Sequence, residues 1–347
     1  MDGFDLLREL AESHGPVGHE TEPREIVVRE LETSVDRVRV DAMGNVVGTI
    51  DGDGDRDGGA PELLIAAHMD EIGFVVRHVD DEGFVHVRSL GGWNAEILRS
   101  MRVRVHADGG DDPLDGVIGA VPAHVRDTDG EQAVTDVAID LGLAADEARE
   151  RVAVGDVVTT RAPTERIGDC VAGKALDDRA GVWATLLAAE RAAPDATVHF
   201  VATTQEEVGL RGAAGVAADV DPDVAVAVDG TLERSTPGVQ PEDRVTTLGD
   251  GVGIKHLDAT VIPTPSVVRR LEALAEERDI PFQREVADNI GTDTGALQTA
   301  AGSTPVGAVS VPVRYHHSTV ETAHVADLAA TVDLLVAAAE AGPDGLR

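Results

Sequence analysis

Histidine or acidic side chains stand in five short segments of the chain. The segments are Ala67-His68-Met69-Asp70-Glu71, Gly173-Lys174-Ala175-Leu176-Asp177-Asp178, Thr203-Thr204-Gln205-Glu206-Glu207, Val228-Asp229-Gly230 and Tyr315-His316-His317-Ser318. Most follow a short apolar run, and the second precedes a helix-like stretch. We therefore expect them at strand ends of an α/β sheet, where ligand sites form. Such side chains can hold metal ions if the fold brings them together.

Each segment also has an ordinary structural explanation. His68 and Asp70 point to the same side of an extended segment, so one can bind a metal while the other orients it. Both could equally lie on a solvated loop. An aspartate before a helix, such as Asp177 or Asp178, is commonly an N-cap. Asp229 could lie in a turn, so no single segment establishes a site.

Taken together, the segments predict a two-metal centre. Histidine nitrogens mixed with carboxylate oxygens suit Zn, Co or Mn better than Ca. One carboxylate can bridge two cations, and a pair of ions lowers the pKa of a water molecule and polarises a carbonyl group. Glu206 and Glu207 are adjacent and point differently, so one can bind metal while the other moves the proton. Spacing leaves open which glutamate does which, and which of His316 and His317 binds.

The elements that must position these residues follow an α/β pattern. Apolar periodicity predicts helices at Phe4 to His14, Glu22 to Glu32, Ala180 to Ala193, Val267 to Arg278 and Val325 to Ala339, and strands at Leu63 to Ala67, Val198 to Thr203, Val224 to Val228 and Ala259 to Ile262. Between these groups, short valine-rich alternations predict a small all-β unit. One of them runs from Val117 to Val121. We predict a mixed-sheet α/β domain with helices on both faces (residues 1–71 and 164–347), interrupted by a barrel-like β domain (residues 72–163).

The composition excludes several classes of protein. Among 347 residues, 64 acids face 29 bases, which gives a formal charge of −35. Such a chain should bind neither nucleic acid nor anionic membranes. The acids are not collected in a tail, so we interpret them as a surface of the halophilic kind that needs molar salt. With no membrane-spanning run, no visible secretory signal and only Cys170, a cytoplasmic location is expected.

The motifs resemble those of the tetrahedral aminopeptidase family of metallopeptidases, also called glutamyl aminopeptidases, some members of which were labelled endoglucanases. The resemblance rests on the stretches His68 to Gly73, Lys174 to Arg179, Thr203 to Gly209, Val228-Asp229, Gly291 to Thr294 and Arg314 to Ser318, and it runs over nearly the whole chain. It implies removal of N-terminal residues from peptides, with two divalent ions per subunit, usually zinc or cobalt, with manganese possible. It also implies dimers that assemble into a hollow dodecamer, with the β insertion taking part.

The resemblance further implies a role for each site residue. Asp177 bridges the two metals, His68 and Asp229 complete one of them, Glu207 and His317 complete the other, Glu206 is the general base, and Asp70 orients His68. Gly230 stands where the family more often has a larger residue, which would alter the wall of the site. Gly249 to Gly253 resembles a glycine-rich pocket loop, and Gly291 to Gly295 is expected to border the substrate's amino end.

Other functions use similar residues. A metallo-carboxypeptidase or deacylase would bind a substrate carboxylate, for which Arg211, Arg314 and Lys255 are available. A glycosidase would need two carboxylates without a metal. A non-catalytic metal-stabilised scaffold would not need a general base at Glu206. The sequence does not reveal which N-terminal residue a peptidase of this kind would prefer.

Overall fold

The computed structural model describes residues 3–52, 61–107, 112–120, 133–240 and 243–347. The helices in these ranges are α1 (Phe4–Glu12), α2 (Thr21–Leu31), α3 (Ala145–Arg151), α4 (Leu176–Arg191), α5 (Arg211–Val220), α6 (Pro265–Glu277), α7 (Asp293–Thr299) and α8 (Val325–Leu346). The helices predicted from periodicity correspond to α1, α2, α4, α6 and α8.

Eleven of the described strands form one mixed sheet. They are β1 (Arg37–Val40), β2 (Val46–Ile50), β3 (Glu62–His68), β10 (Glu165–Ile167), β11 (Cys170–Gly173), β12 (Thr197–Thr203), β13 (Val224–Glu233), β14 (Val252–Leu257), β15 (Phe282–Val286), β16 (Val306–Arg314) and β17 (Glu321–His324). Their order is β1-β2-β12-β3-β13-β16-β17-β11-β10, with β14 paired to both β16 and β15. The neighbouring strands β12, β3, β13 and β16 are parallel, so their carboxyl ends share one edge.

Helices cover both faces of this sheet, and β3 shows why its residues form a continuous apolar run. Leu63 and Ile65 pack into a core built with α1, α2, α4, α6 and α8. Leu64 and Ala66, which point the other way, pack into a second core with α5 and α7. A parallel strand buried on both sides needs apolar residues at every position.

Six further strands close into a small barrel between β3 and β10. They are β4 (Gly73–Val79), β5 (Val85–Leu90), β6 (Arg102–His106), β7 (Leu114–Ile118), β8 (Ala138–Asp140) and β9 (Val157–Arg161). The barrel has its own core, in which Phe74, Val76, Val87 and Val103 are buried. The predicted fold class is confirmed: a mixed α/β sheet interrupted by a barrel. The exact domain boundaries stay a prediction.

Three predicted strands need correction. Ala259 to Ile262 is not a strand, because the Asp258 carboxylate accepts hydrogen bonds from the amides of Thr260 and Val261 and so closes a turn. The run that begins at Val224 does not stop at Val228 but continues to Glu233, because β16 pairs with its whole second half. The strand expected at Val117 to Val121 is β7, which ends at Ile118, and residue 121 lies outside the described ranges.

Both lysines of the chain, Lys174 and Lys255, are buried. The exposed positive charges of the described residues are therefore carried by arginine rather than lysine. No helix in the described part of the chain is long and apolar enough to cross a membrane.

Candidate metal centre

Four parallel strands deliver most of the predicted site residues to one edge of the sheet. His68 is the last residue of β3, and Glu206 and Glu207 lie in a single 3₁₀ turn directly after β12. Asp229 lies within β13 rather than at its end. His317 follows β16 in a left-handed backbone conformation, with φ of 58°. Because parallel strands end at a common edge, residues far apart in sequence meet here.

Asp177 lies at the centre of the group, at the start of α4. Its Oδ1 atom is 3.4 Å from Nε2 of His68, and its Oδ2 atom is 3.2 Å from Nε2 of His317. The two carboxylate oxygens therefore face different histidines. Oδ2 is also 2.9 Å from Nε2 of His316, whose ring stacks on that of His317. The structure brings both histidines of the pair to Asp177.

Two further carboxylates complete the arrangement on either side of Asp177. Asp229 Oδ1 lies 3.6 Å from Nε2 of His68, and Glu207 Oε1 lies 3.5 Å from Nε2 of His317. We call His68 with Asp229 the inner half of the site and His317 with Glu207 the outer half. Asp177 thus contacts both His68 and His317, and each of these histidines contacts one further predicted ligand.

Asp70 contacts more of the site than the sequence suggested. Its Oδ1 atom is 3.5 Å from Nδ1 of His68, whose nearest partner, at 3.2 Å, is the main-chain oxygen of Asp70. The same carboxylate accepts hydrogen bonds from the backbone amides of Glu206 and Glu207, at 3.0 and 3.2 Å. Asp70 therefore holds the 3₁₀ turn as well as the histidine.

Asp177 and Asp178 have different environments although they are adjacent. The Oδ1 atom of Asp178 accepts a hydrogen bond from the amide of Gly181 inside α4, which is the contact of an N-cap. A carboxylate oxygen of Asp178 also comes within 4.8 Å of His68 and Asp229 donor atoms. The N-cap explanation that the sequence left open for either residue therefore fits Asp178.

Burial and mutual charge shift the protonation of the site. Burial raises the pKa of Glu207 to about 7, and it raises the pKa of Glu206 well above its ordinary range. Burial alone would also raise the pKa of Asp177, but its histidine neighbours hold it well below its usual range. Burial alone would lower the pKa of His317, yet the Asp177 carboxylate raises it to about 10. The histidines and carboxylates of the site therefore shift one another's pKa strongly.

The donor set suits divalent cations better than protons. Asp177 Oδ1 is buried and has no hydrogen-bond partner among the described residues, although such atoms normally find one. Donor atoms of Asp177, His316 and His317 lie within 4.8 Å of one another, as do those of His68, Glu206 and Glu207. Nitrogen and carboxylate donors converging at this spacing are typical of zinc-like metals.

Sequence reasoning missed a buried carboxylate that holds two parts of the site together. Glu321, on β17, accepts hydrogen bonds from the backbone amides of Asp177 and His317, at 3.0 and 2.8 Å. Burial raises its pKa to about 7. No spacing signal marks Glu321, because its partners lie on other elements. Asp293 was quoted only as part of a motif, yet it is buried and accepts a hydrogen bond from the Thr203 hydroxyl at 2.5 Å.

A main-chain oxygen of the barrel also reaches the site. Nδ1 of His317 is 2.6 Å from the carbonyl oxygen of Gly92, in the loop after β5. Only the protonated nitrogen can donate to a carbonyl, so this bond leaves Nε2 free to face Asp177 and Glu207. A Cβ at position 92 would come 3.3 Å from Nδ1 of His317, which explains a glycine here.

The glycine segments singled out in the sequence have different positions. A Cβ on Gly230 would come 2.8 Å from Asp177 Oδ1, so this glycine leaves room for the central carboxylate. Gly291 lines the site cavity, as expected for its stretch. The loop at Gly249 to Gly253 does not line it. The amides of Gly249 and Gly251 instead donate to Asp327 of α8.

Comparison with known proteins now identifies the family. The pattern of the M42 glutamyl aminopeptidase family matches residues 44–334. The chain belongs to this family. It superposes on the aminopeptidase APDkam598 from the archaeon Desulfurococcus kamchatkensis with a TM-score of 0.94, at 35% identity over 99% of this chain and 96% of the other. The chain is therefore a peptidase, and the family and its relatives support a metal-dependent aminopeptidase.

Two further relatives show the range within the family. The lysyl aminopeptidase of Pyrococcus furiosus is 31% identical over 98% of this chain and 97% of its own length. The TET1 peptidase of Pyrococcus horikoshii, which can assemble into a tetrahedron or a large octahedral shell, has a TM-score of 0.83 and 34% identity, over 96% of this chain and 98% of that one. Because glutamyl and lysyl specificities both occur, membership does not determine the preferred residue.

Proposed function

We propose that this chain removes N-terminal residues from peptides at a centre of two divalent ions, zinc, cobalt or manganese. Asp177 would be a ligand of both ions. His68 and Asp229 would complete the inner half, and Glu207 and His317 the outer half. The proposal rests chiefly on the placement of Asp177, whose two oxygens face histidines on opposite sides, at 3.4 and 3.2 Å.

The charge of the cavity favours an aminopeptidase over the related carboxypeptidase. Its volume is about 260 Å³, and in the described part of the chain no arginine or lysine lines it. The cations that could have bound a substrate carboxylate are engaged elsewhere or absent from the lining. Arg314 donates to Glu233 and Ser235, Lys255 is buried beside Glu285 and Asp258, and Arg211 lies at the start of α5. A cavity without such cations has no protein side chain that could form a charged hydrogen-bonded pair with a substrate carboxylate.

The protein's own groups supply the proton transfers. Bound at these residues, two divalent ions would lower the pKa of a water molecule and polarise the peptide carbonyl. Glu206 lies within 4.8 Å of His68 and Glu207 donor atoms and has no assigned metal in this arrangement. We propose that it takes the proton of the attacking water and returns it to the leaving amine. Its raised pKa, caused by burial, allows it to hold that proton near neutral pH.

The test of this proposal is Glu206→Gln, which keeps the shape but removes the base. Turnover of aminoacyl chromogenic substrates should fall by roughly 10²- to 10⁴-fold, while the metal content, measured by elemental analysis, stays at two ions per chain. A chelator should abolish the activity of the unaltered chain, and added zinc or cobalt should restore it. The exposed Glu25 provides a matched control, because Glu25→Gln should change neither quantity.

Three outcomes would reject parts of the proposal. Near-normal turnover in Glu206→Gln would reject the base. One ion at full activity would reject the two-ion centre. Release of a C-terminal rather than an N-terminal residue from a blocked peptide panel would favour the carboxypeptidase. The same panel would identify the preferred N-terminal residue.

We also propose that the chain forms a closed homo-oligomer, as the Pyrococcus horikoshii relative does. Sedimentation in molar KCl should give a mass of about twelve chains for a tetrahedral shell. A monomer at micromolar concentration would contradict this. The cytoplasmic location and the salt requirement stay predictions from the sequence.

A further inference from the structure

A cavity of the described residues lies apart from the candidate metal centre and is lined mainly by basic side chains. Its volume is about 550 Å³, and its charged or titratable lining consists of Glu12, His14, Arg102, Arg104, Arg161 and Lys174. It lies where the barrel strands β6 and β9 meet the segment after α1. No residue lines both this cavity and the metal cavity. Four bases against one acid is unusual in a chain whose formal charge is −35.

The register of the barrel places two of these arginines directly opposite each other. Arg102 of β6 pairs with Arg161 of β9 in the antiparallel ladder. Like charges at directly opposite positions destabilise a strand pair unless an anion lies between or beside them. The contact is therefore unfavourable to the extent that these two guanidinium groups lack anionic partners.

The anions already present do not satisfy all of this charge. Asp115 of β7 accepts from Nε of Arg104 at 2.8 Å and from Nη1 of Arg161 at 2.5 Å. Asp115 thus holds the guanidinium groups of Arg104 and Arg161 in place. Each of these two groups has further N–H donors that do not bond to Asp115. Arg102 is exposed and forms no ion pair within the described ranges.

The remaining lining groups are occupied or neutral. Lys174 donates to both oxygens of Glu71 and to the carbonyl of Ser13, which uses its three protons. Glu12 accepts from the amide of Thr164. Burial, with help from nearby cations, lowers the pKa of His14 to about 3, so the ring is neutral. The free donors that face the cavity are therefore arginine N–H groups.

We propose that this cavity binds a small oxyanion, held between Arg102 and Arg161, with Arg104 beside them. Planar guanidinium groups match the paired oxygens of phosphate or carboxylate, which a lysine amine does not. The site is independent of the peptidase centre, so it can be present whether or not the proposed mechanism is correct. Its ligand is either a phosphate group or a carboxylate, and both share this recognition chemistry.

Calorimetric titration of the full chain, with its metals bound, tests the proposal. Inorganic phosphate and succinate are titrated separately at one fixed ionic strength, so that screening is equal in both. We expect saturable binding of one anion per chain for at least one of them. The tighter ligand identifies phosphate or carboxylate as the preferred group. Absence of saturable binding by either would overturn the proposal.

Variants locate the site. Arg102→Gln should weaken anion binding roughly 10- to 100-fold, the range for a charged hydrogen bond. The affinity of Arg102→Lys should lie between that of Arg102→Gln and that of the unaltered chain. Arg77, an exposed arginine on β4 outside the cavity, is the control, and Arg77→Gln should leave binding unchanged. If Arg102→Gln and Arg77→Gln weaken anion binding equally, the binding reflects only general charge attraction, and the proposed site is rejected.

Two alternative occupants give distinct results. Binding that survives in Arg102→Gln but is lost in Asp177→Asn would place the anion at the metal centre. A change of sedimentation in Arg102→Gln, with no anion bound by the unaltered chain, would mean that these arginines pair with acids of a second copy. Either result would overturn a small-anion site.

Discussion

The inner and outer halves of the metal centre are held by the fold in different ways. In the inner half, His68 and Asp229 lie on the central strands β3 and β13, and the His68 side chain is 2% exposed. In the outer half, Glu207 lies in a short 3₁₀ turn and His317 in a left-handed turn, and the His317 side chain is 28% exposed. One half is part of the sheet, and the other is part of its loops.

The contacts behind each histidine repeat this difference. Nδ1 of His68 faces Asp70, two residues along the same chain segment. Nδ1 of His317 faces the carbonyl of Gly92, which belongs to the barrel and lies 225 residues away in sequence. Rigid elements hold ligands more precisely than loops do. We therefore expect a tightly bound ion in the inner half and an exchangeable one in the outer half.

The largest expected effect comes from Asp177, the residue that the two halves share. Asp177→Asn should abolish binding of both ions and with it nearly all activity, because each half loses an anionic ligand. Elemental analysis after dialysis measures this. The exposed Asp333 on α8 is the control, since Asp333→Asn should leave both ions in place. Retention of one full ion in Asp177→Asn would mean that the halves do not share this carboxylate.

Removing one histidine at a time separates the halves. His317→Ala should lose the outer ion and keep the inner one, because His68, Asp177 and Asp229 remain. His68→Ala should lose the inner ion, and the loss should be accompanied by weaker binding in the outer half. Metal titration of each variant checks the order of the two losses. His19, an exposed histidine, is the control, with no loss expected in His19→Ala.

If both histidine variants retain the same ion with the same affinity, the distinction between the halves is wrong. If His317→Ala keeps two ions, His316 takes the place of His317, since its Nε2 atom already lies 2.9 Å from Asp177 Oδ2.

A smaller change addresses the barrel contact alone. Gly92→Ala places a Cβ 3.3 Å from Nδ1 of His317 and should displace the carbonyl that orients the ring. Loss of a hydrogen bond that orients a metal-binding histidine commonly lowers metal affinity by about 10- to 100-fold. We expect this loss only in the outer half. Gly119→Ala, also in the barrel but with open space at its Cβ, is the control. Equal weakening of both halves would indicate a general effect on folding.

The smallest expected effect is the dependence on pH. The Asp177 carboxylate raises the pKa of His317 to about 10, so a proton must leave this ring before Nε2 can bind a metal. Affinity in the outer half should therefore rise modestly as pH rises between 6 and 8. Calorimetry in two buffers with different heats of ionisation counts the protons released. Binding heats that do not depend on the buffer would contradict this.

Much of the site was predictable because it depends on local rules. The apolar run from Leu63 to Ala67 indicates a buried strand, and its end fixes where His68 lies. Acidic residues after other apolar runs then meet His68, since parallel strands end at one edge. Asp229 shows the limit of the argument. It was placed at a strand end, yet the strand continues to Glu233 because its length depends on pairing with β16.

The failures come from contacts between side chains and backbone that have no periodicity. Ala259 to Ile262 has the apolar content of a strand, but Asp258 binds the amides that a neighbouring strand would need. The loop at Gly249 is held by Asp327 from α8, so its resemblance to a pocket loop was misleading. Neither partner could be identified without the packing of distant elements.

The sequence by itself determined the family and the fold class, and it pointed to the residues proposed to carry the chemistry, because these depend on local apolar patterns and on motifs of a few residues. The tertiary structure alone decided how the ligands are supported. Glu321 joins the backbones of Asp177 and His317, and Gly92 turns His317 toward the site. These contacts join segments up to 225 residues apart. Their geometry depends on how the barrel packs on the sheet, which no local pattern encodes.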